Sequence, residues 1–227
     1  MSVHKLIVVA VLIAVSPPPA QAAAVLGRVR HAGKAPQRAR IKPDKDPEVC
    51  GRTPLFDESL VVSADGGLKN AVVSIEGAPA GGPAEPVTID QVGCRYAPHV
   101  QSATLGSELR FKSSDAVFHN VHAFQDGRTK VNIALPVKGS KARTKLDHAG
   151  TVTIKCDAGH SWMQAFVLVY PHRLHGVTDD TGRFRIADVP PGMHKIRVWH
   201  EKLGEQTGTV EVKAGADAAF EVTLEAK

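Results

Sequence analysis

The sequence lacks a long hydrophobic run, a dense basic cluster and any sustained helical periodicity. The apolar stretch Leu6–Val15 has ten residues, whereas a transmembrane helix needs about twenty. Lys and Arg are spread along the chain without interleaved aromatic residues, so nothing indicates nucleic-acid binding. The net charge of +5 on 227 residues is modest. It is compatible with docking to an acidic protein or an anionic membrane surface, although ordinary solubility accounts for it more simply.

The first 22 residues have the pattern of a secretory signal peptide. A short basic segment, Met1–Lys5, precedes the apolar stretch, and Ser16–Pro19 would end any helix. Ala20-Gln21-Ala22 then fits the small-residue pattern of a cleavage site. We therefore predict a bacterial protein exported to the periplasm or secreted, with a mature chain that starts near residue 23 and has no transmembrane segment.

Cysteine is scarce, and the three present have different neighbours. Cys50 and Cys94 lie among turn-forming residues without nearby ligand types, whereas His160 and Met163 follow Cys156 closely. An exported chain can hold disulfides. We therefore predict a Cys50–Cys94 disulfide and a Cys156 that is free to act as a thiolate.

Short strands separated by Gly and Pro turns predict an all-β protein built from β-sandwiches. The segment Gly77–Pro86 and the Pro171-His172 pair are candidate boundaries, and Gly33–Pro54 is predicted to be an irregular loop. The chain thus divides into three pieces, at about 23–80, 86–170 and 171–227. We expect strands at Val25–Arg30, Leu60–Ala64, Ala71–Glu76, Val87–Gln91, Leu109–Ser113, Val117–Phe124, Thr151–Cys156, Phe166–Tyr170, Phe184–Ala187, Lys195–His200, Thr209–Lys213 and Phe220–Leu224.

The segment Cys156–Met163 concentrates the residues that suit a redox metal. A thiolate, an imidazole and a thioether lie within eight residues, on the loop after a predicted strand. His119, 37 residues upstream on another strand, would supply a second imidazole. Two histidines, one cysteine and a weak axial methionine form the ligand set of a blue copper site. The candidate ligands are therefore His119, Cys156, His160 and Met163, holding one copper ion.

The middle piece, 86–170, resembles the cupredoxins, in particular plastocyanin and amicyanin. The family has a His-Asn pair on an early strand, here His119-Asn120, and a Cys-His-Met loop before its last strand, here Cys156–Met163. The resemblance implies a Greek-key β-sandwich, one-electron transfer with a redox partner, and an Asn120 that links the two ligand-bearing segments. It also implies that His160 reaches the surface and passes the electron. Trp162 is expected to shield the metal.

The same residues are compatible with rival functions. A Cys156–His160 nucleophilic pair is conceivable, but a thiol enzyme would not need His119 or Met163, so we expect no catalysis. A two-copper centre would need a second cysteine on the loop. Copper storage or delivery without redox turnover, and a metal-free adhesion or assembly module, are the alternatives to electron transfer. His122 and His99 are expected to be structural, although His99 is an alternative extra ligand.

The two ends of the chain resemble a second kind of module. Gly176–Gly192 and the strand His194–His200 resemble carboxypeptidase regulatory-like modules, which have a transthyretin-like sandwich. Such modules usually begin with segments like Leu26–Pro36 and Asn70–Glu76. We therefore expect 23–80 and 171–227 to share one β-sheet system, with the cupredoxin-like piece inserted between them and a role in scaffolding or protein contact.

Overall fold

The computed structural model describes residues 21–225, and the predicted all-β class is confirmed. The predicted signal peptide at 1–22 lies outside the described residues except for its last two positions. Within the described range, no helix is long and apolar enough to cross a membrane. The elements in chain order are β1 Ala23–His31, β2 Arg40–Ile41, α1 Pro47–Cys50, β3 Leu55–Phe56, β4 Val72–Ile75, β5 Val87–Gln91, β6 Tyr96–Ala97, β7 Val100–Thr104, β8 Glu108–Ser113, β9 His119–Gln125, β10 Arg128–Leu135, β11 Lys141–Lys145, β12 Gly150–Lys155, β13 Gln164–Tyr170, β14 His175–Val177, β15 Arg183–Val189, β16 Gly192–His200, β17 Gly204–Val212 and β18 Ala218–Leu224.

The middle of the chain forms two sheets around one core. One sheet has the order β10-β9-β12-β13-β7, and the other has the order β11-β8-β5-β6. Burial alternates along β8 and along most of β9, so every second side chain of these strands points into the space between the two sheets. The enclosed cluster includes Tyr96, Phe111, Leu146 and Ile154, each at most 2% exposed. This core supports the strand ends on which the candidate ligands lie.

The two ends of the chain share a second pair of sheets. Strand β1 pairs antiparallel with β15 and parallel with β18. Strand β4 pairs antiparallel with β14 and with β16. Side chains of both sheets, including Val25, Ile75, Ile196 and Phe220, form a separate buried cluster. The expected pairing between the chain ends is therefore present, while the domain boundaries and the regulatory-like assignment stay predictions.

Several elements differ from the sequence expectation. Strands β10 and β11 were missed. Strand β11 alternates charged and small residues, and β10 begins with three polar residues, although Val131, Ile133 and Leu135 alternate in its second half. Each lies at an edge of its sheet, where one face stays in water. The segment predicted to be an irregular loop, Gly33–Pro54, contains β2 and the one-turn helix α1. A fixed φ at Pro47 favours the first turn of a helix, which explains where α1 begins.

The predicted disulfide is confirmed. Cys50 and Cys94 are bonded across a sequence separation of 44 residues, and both are buried. Cys156 is a free, buried cysteine. The bond joins the end of α1 to the loop between β5 and β6, so the N-terminal segment is tethered to the middle sandwich.

We expect the buried His200, at the end of β16, to make the protein less stable in mild acid. Its side chain is 1% exposed, and burial together with the nearby His99 and His31 lowers its pKa to about 4. In the unfolded chain the pKa of histidine is about 6.5, so the unfolded state binds the proton first as the pH falls. Stability contributed by neutral His200 is therefore present above pH 6.5 and lost between about pH 6.5 and 4. The loss should reach about 3 kcal/mol.

Urea unfolding at pH 7 and pH 4.5 tests this expectation. In wild type, His200 Nδ1 accepts a hydrogen bond from the backbone N–H of Lys202 at 3.2 Å, and the amide oxygen of asparagine can replace this acceptor. The His200→Asn variant should therefore lose less stability on acidification than wild type. His148→Asn, at an exposed position, is the matched control. His99 affects stability in a different pH range. Burial lowers its pKa, but pairing with Glu201 raises it above the usual value, so the stability that His99 contributes is lost only as the pH rises. Equal acid sensitivity of wild type and His200→Asn would contradict the assignment.

Candidate metal centre

Antiparallel strands bring three of the predicted ligands to one end of the middle sandwich. His119 is the first residue of β9, and Cys156 directly follows β12, the neighbour of β9 in the sheet. His160 lies on the loop between β12 and β13. Because Lys155 pairs with His122, the end of β12 lies beside the start of β9. The two ligand-bearing segments, 37 residues apart in sequence, therefore meet.

The three donor atoms face one another in a buried cluster. His119 Nδ1 and His160 Nδ1 lie 3.2 Å apart, and Cys156 Sγ lies 4.0 Å from the former and 3.7 Å from the latter. Both histidines are 0% exposed, and Cys156 is 6% exposed. Nitrogen and sulfur ligands at about 2.0 and 2.3 Å from a common ion lie roughly 3–4 Å from each other. The donor spacing and softness fit a copper ion.

Met163 lies in the same buried cluster of side chains as Cys156. It is 1% exposed, and its backbone N–H donates to the carbonyl of His160 at 2.9 Å. This turn holds the segment after His160 against the core. The position suits the predicted weak axial ligand, which stays a prediction.

The electrostatics of the cluster favour a thiolate at Cys156. Burial by itself would raise the pKa of the thiol, but hydrogen bonds from His119 and His160 lower it to about 6. Burial would lower the pKa of His119, yet its contacts with Asp115 and Cys156 raise it to about 9. The contacts of the cluster thus favour a negative sulfur, the form in which cysteine binds metals.

Two carboxylates that the sequence analysis did not identify lie behind the histidines. Asp115 Oδ2 is 3.0 Å from His119 Nε2, and this carboxylate also accepts the backbone N–H groups of Gly93 and Cys94 at 2.7 and 2.8 Å. Asp46 Oδ2 is 3.0 Å from His160 Nε2. Neither carboxylate had a usable signal in the sequence. A four-residue spacing predicts a contact on a helix, but His119 begins a strand, and Asp46 lies in the segment predicted to be irregular.

The expectation that His160 reaches the surface is wrong. His160 is 0% exposed because the N-terminal segment that contains Asp46 and α1 covers it. Lys45 packs on the same loop, with its side chain against Gly159. The disulfide from Cys50 to Cys94 ties this covering segment in place. The resemblance could not reveal this, because the covering residues lie outside the resembling piece.

Asn120 links the two ligand-bearing segments, and Trp162 packs beside His160. Asn120 Oδ1 accepts the backbone N–H of Asp157, and Asn120 Nδ2 donates to Asn132 Oδ1 at 2.8 Å. Asn120 thus joins β9 to the loop that starts at Cys156. The Trp162 ring lies 5.3 Å from the His160 ring, edge to face, and its Nε1 donates to the carbonyl of Cys94 at 2.9 Å.

The two other histidines considered as ligands have partners of their own. His99 Nδ1 lies 3.0 Å from the carbonyl of Gln164, and its Nε2 pairs with Glu201. His122 contacts Asp157 and Thr129. The donor cluster of His119, Cys156 and His160 includes neither of them.

Comparison with protein families found no matching family model, and comparison with curated proteins found no match. Solved structures with a similar fold include a copper-containing nitrite reductase from Thermus scotoductus SA-01, with 24% identity, 41% of this chain covered and a TM-score of 0.33. The match spans 24% of that reductase. A purple cupredoxin from Nitrosopumilus maritimus matches at 15% identity over 37% of this chain and 99% of its own, with a TM-score of 0.31. An oxidised mutant of amicyanin matches at 19% identity over 43% of this chain and 98% of its own, with a TM-score of 0.33.

These matches cover less than half of the chain, so the assignment of the site rests on the chain's own residues. The regulatory-like resemblance of the flanking segments is not confirmed by these matches. The part of this chain that is covered, about two fifths of it, is similar in fold to cupredoxins, the family that its Cys-His-Met motif predicted.

Proposed function

We propose that the protein binds one copper ion and transfers single electrons. His119, Cys156 and His160 would be the strong ligands, and Met163 the weak axial ligand. The observation that carries the proposal is the buried cluster of two Nδ1 atoms and one Sγ atom, all within 4.0 Å of one another. A copper ion held there would supply a couple between its one-plus and two-plus states.

The chain's own residues would keep this site nearly unchanged during turnover. His119 is fixed by β9 and by Asp115, while Asn120 holds the loop that begins at Cys156. Buried, hydrogen-bonded ligands have little freedom to rearrange when an electron arrives. The surrounding side chains also exclude water, which sets the local dielectric and therefore the reduction potential.

Burial of the donors favours electron transfer over copper delivery. A delivery site must exchange its ligands with those of a recipient, which requires access to the ion. Here both histidines are fully buried and the N-terminal segment covers His160. Electrons can cross a thin layer of protein, whereas an ion cannot leave without opening it. The metal-free module is disfavoured because it would not need three converging donors.

The end of the molecule around the covering segment is a candidate docking surface for a redox partner. Lys42, Lys45 and Arg52 are exposed on this segment together with Asp44 and Glu48, and Lys45 packs against Gly159 of the ligand-bearing loop. Phe118, 49% exposed, immediately precedes His119 and offers an apolar contact. An acidic or membrane-associated partner protein in the periplasm or outside the cell would suit these basic residues.

Titration of the metal-free protein with Cu(II) tests the proposed function. We expect an intense visible band from thiolate-to-copper charge transfer that saturates at one equivalent, followed by reversible reduction and fast self-exchange. Saturable copper binding without reversible reduction would favour storage or delivery instead. No thiolate–copper band at any Cu(II) loading would exclude the proposed centre.

Replacing Met163 by leucine should retain the colour and raise the reduction potential. The equatorial thiolate is unchanged, so the visible band persists, but Cu(II) loses a donor that Cu(I) needs less. A tenfold change in the one-electron equilibrium, about 59 mV, is the expected order of magnitude. Voltammetry of the two proteins measures it. An unchanged potential would show that Met163 only fills space in the core.

A further inference from the structure

The side chain of Asp46 does not cap the helix that it precedes. This residue occupies the N-cap position of α1, where an aspartate usually accepts hydrogen bonds from the first turn, yet its side chain makes no capping bond. Instead, its carboxylate approaches His160 Nε2 at 3.0 Å. The backbone of Asp46 is left-handed, with φ 47° and ψ 48°. The chain therefore directs this carboxylate toward the candidate metal centre and leaves α1 uncapped.

The carboxylate offsets the burial of the second ring nitrogen of His160. That ring is 0% exposed, and His160 Nε2 has no hydrogen bond of regular geometry within the described chain. An unpaired buried polar atom is costly, and the neighbouring negative charge reduces this cost. Because Nε2 faces Asp46, the Nδ1 atom of His160 is turned toward Cys156 Sγ and His119 Nδ1.

The disulfide connects this carboxylate to its counterpart behind His119. Asp46 and Cys50 are at the two ends of α1, and Cys50 is bonded to Cys94. The backbone N–H of Cys94 in turn donates to Asp115, which contacts His119 Nε2. One covalent link therefore joins the supports of both histidine ligands.

On the basis of the copper site described under the proposed function, we propose that Asp46 is a positioning residue for His160. Its negative charge also tunes the reduction potential of the copper site. Asp115 plays the equivalent part for His119. Partners of this kind orient a metal-binding imidazole and raise its basicity. The added charge stabilises Cu(II) relative to Cu(I), and the covering segment thereby belongs to the metal centre.

Asp46→Asn is the informative variant. Asparagine has nearly the same shape, tolerates a left-handed backbone and removes the charge while keeping one acceptor oxygen for His160 Nε2. Asp115→Asn would be less clear, because Asp115 also accepts two backbone N–H groups that an amide cannot both satisfy in the same way. Asp44→Asn is the matched control, since Asp44 is exposed on the same segment.

Three measurements on the full-length mature protein test the proposal: the visible spectrum, the reduction potential and the Cu(II) affinity. Asp46→Asn should keep the thiolate–copper band, shift the one-electron equilibrium about tenfold toward Cu(I), equal to about 59 mV, and weaken Cu(II) binding by about 10- to 100-fold. Asp44→Asn should behave as wild type. As a check on folding, urea unfolding of the metal-free proteins should give at most a slightly lower midpoint for Asp46→Asn, because the amide oxygen can still accept from His160 Nε2, and no change for Asp44→Asn.

The possible results separate this proposal from the proposed function. A wild-type protein without the band would overturn both. A band with equal potentials and affinities in Asp46→Asn and Asp44→Asn would overturn the role of Asp46 alone. A lower unfolding midpoint in Asp46→Asn with an unchanged potential would show a purely structural role, and equal shifts in both variants would show a general charge effect.

Discussion

Replacing Cys156 by serine is expected to abolish the visible thiolate–copper band. The band requires charge transfer from a sulfur donor, and Cys156 is the free cysteine of the described chain. The two Nδ1 atoms, 3.2 Å apart, would remain, so weaker and colourless Cu(II) binding should persist through the imidazoles. Visible absorption and metal analysis of the same sample separate loss of the band from loss of the metal.

A neighbouring serine provides the control for this variant. Ser161 is exposed on the same loop, and Ser161→Ala should retain the full band. His119→Ala and His160→Ala should each weaken copper binding and distort the band. A Cys156→Ser protein that keeps an unchanged band would show that the copper thiolate lies elsewhere and would refute the proposed ligand set.

Removing the disulfide by Cys50→Ser with Cys94→Ser should destabilise the protein and open its metal centre. Closing a loop of 44 residues contributes about 4 kcal/mol on the chain-entropy model. Without the bond, the segment that bears Asp46 loses its covalent tether over His160. We therefore expect a lower urea midpoint and a visible spectrum that responds to added imidazole, whereas wild type should not respond.

Thiol counting establishes the starting state for this comparison. Metal-free wild type should have one reactive thiol on unfolding without reductant, because two of the three cysteines are bonded. Cys156→Ser, which retains the disulfide, should keep the covering segment in place and lose far less stability. If the double variant excludes imidazole as well as wild type does, then the covering segment is held by its other contacts and the disulfide does not control access.

The candidate ligands could be identified in the sequence because their signal is local. Cys156, His160 and Met163 lie within eight residues, and such a combination on a loop after a strand is typical of a metal site. His119 was proposed because the site needs a second imidazole from another strand, and its pairing with Asn120 in the family resemblance supported it. Asp46 could not be found in this way, since it contacts His160 across 114 positions of sequence and directly precedes a helix of one turn.

The burial of His160 shows where a motif stops being informative. The motif specifies which atoms converge, but exposure depends on what the rest of the chain places over them. Here the covering residues come from an N-terminal segment rich in Lys, Arg and Pro, whose composition predicts a loop. Its position is decided by the disulfide and by packing, which no periodicity in the segment encodes.

The pairing of β1 with β18 has a consequence for the order in which the chain folds. Strands β5 to β13 pair only with one another, so the middle sandwich can form while later residues are still arriving. Val25 in β1, in contrast, must find Ala218 in β18, from the far end of the described chain. Contacts of such long sequence separation form late. Until then β1 presents an unpaired strand edge, so a nascent or truncated chain would carry a completed middle sandwich beside an aggregation-prone strand.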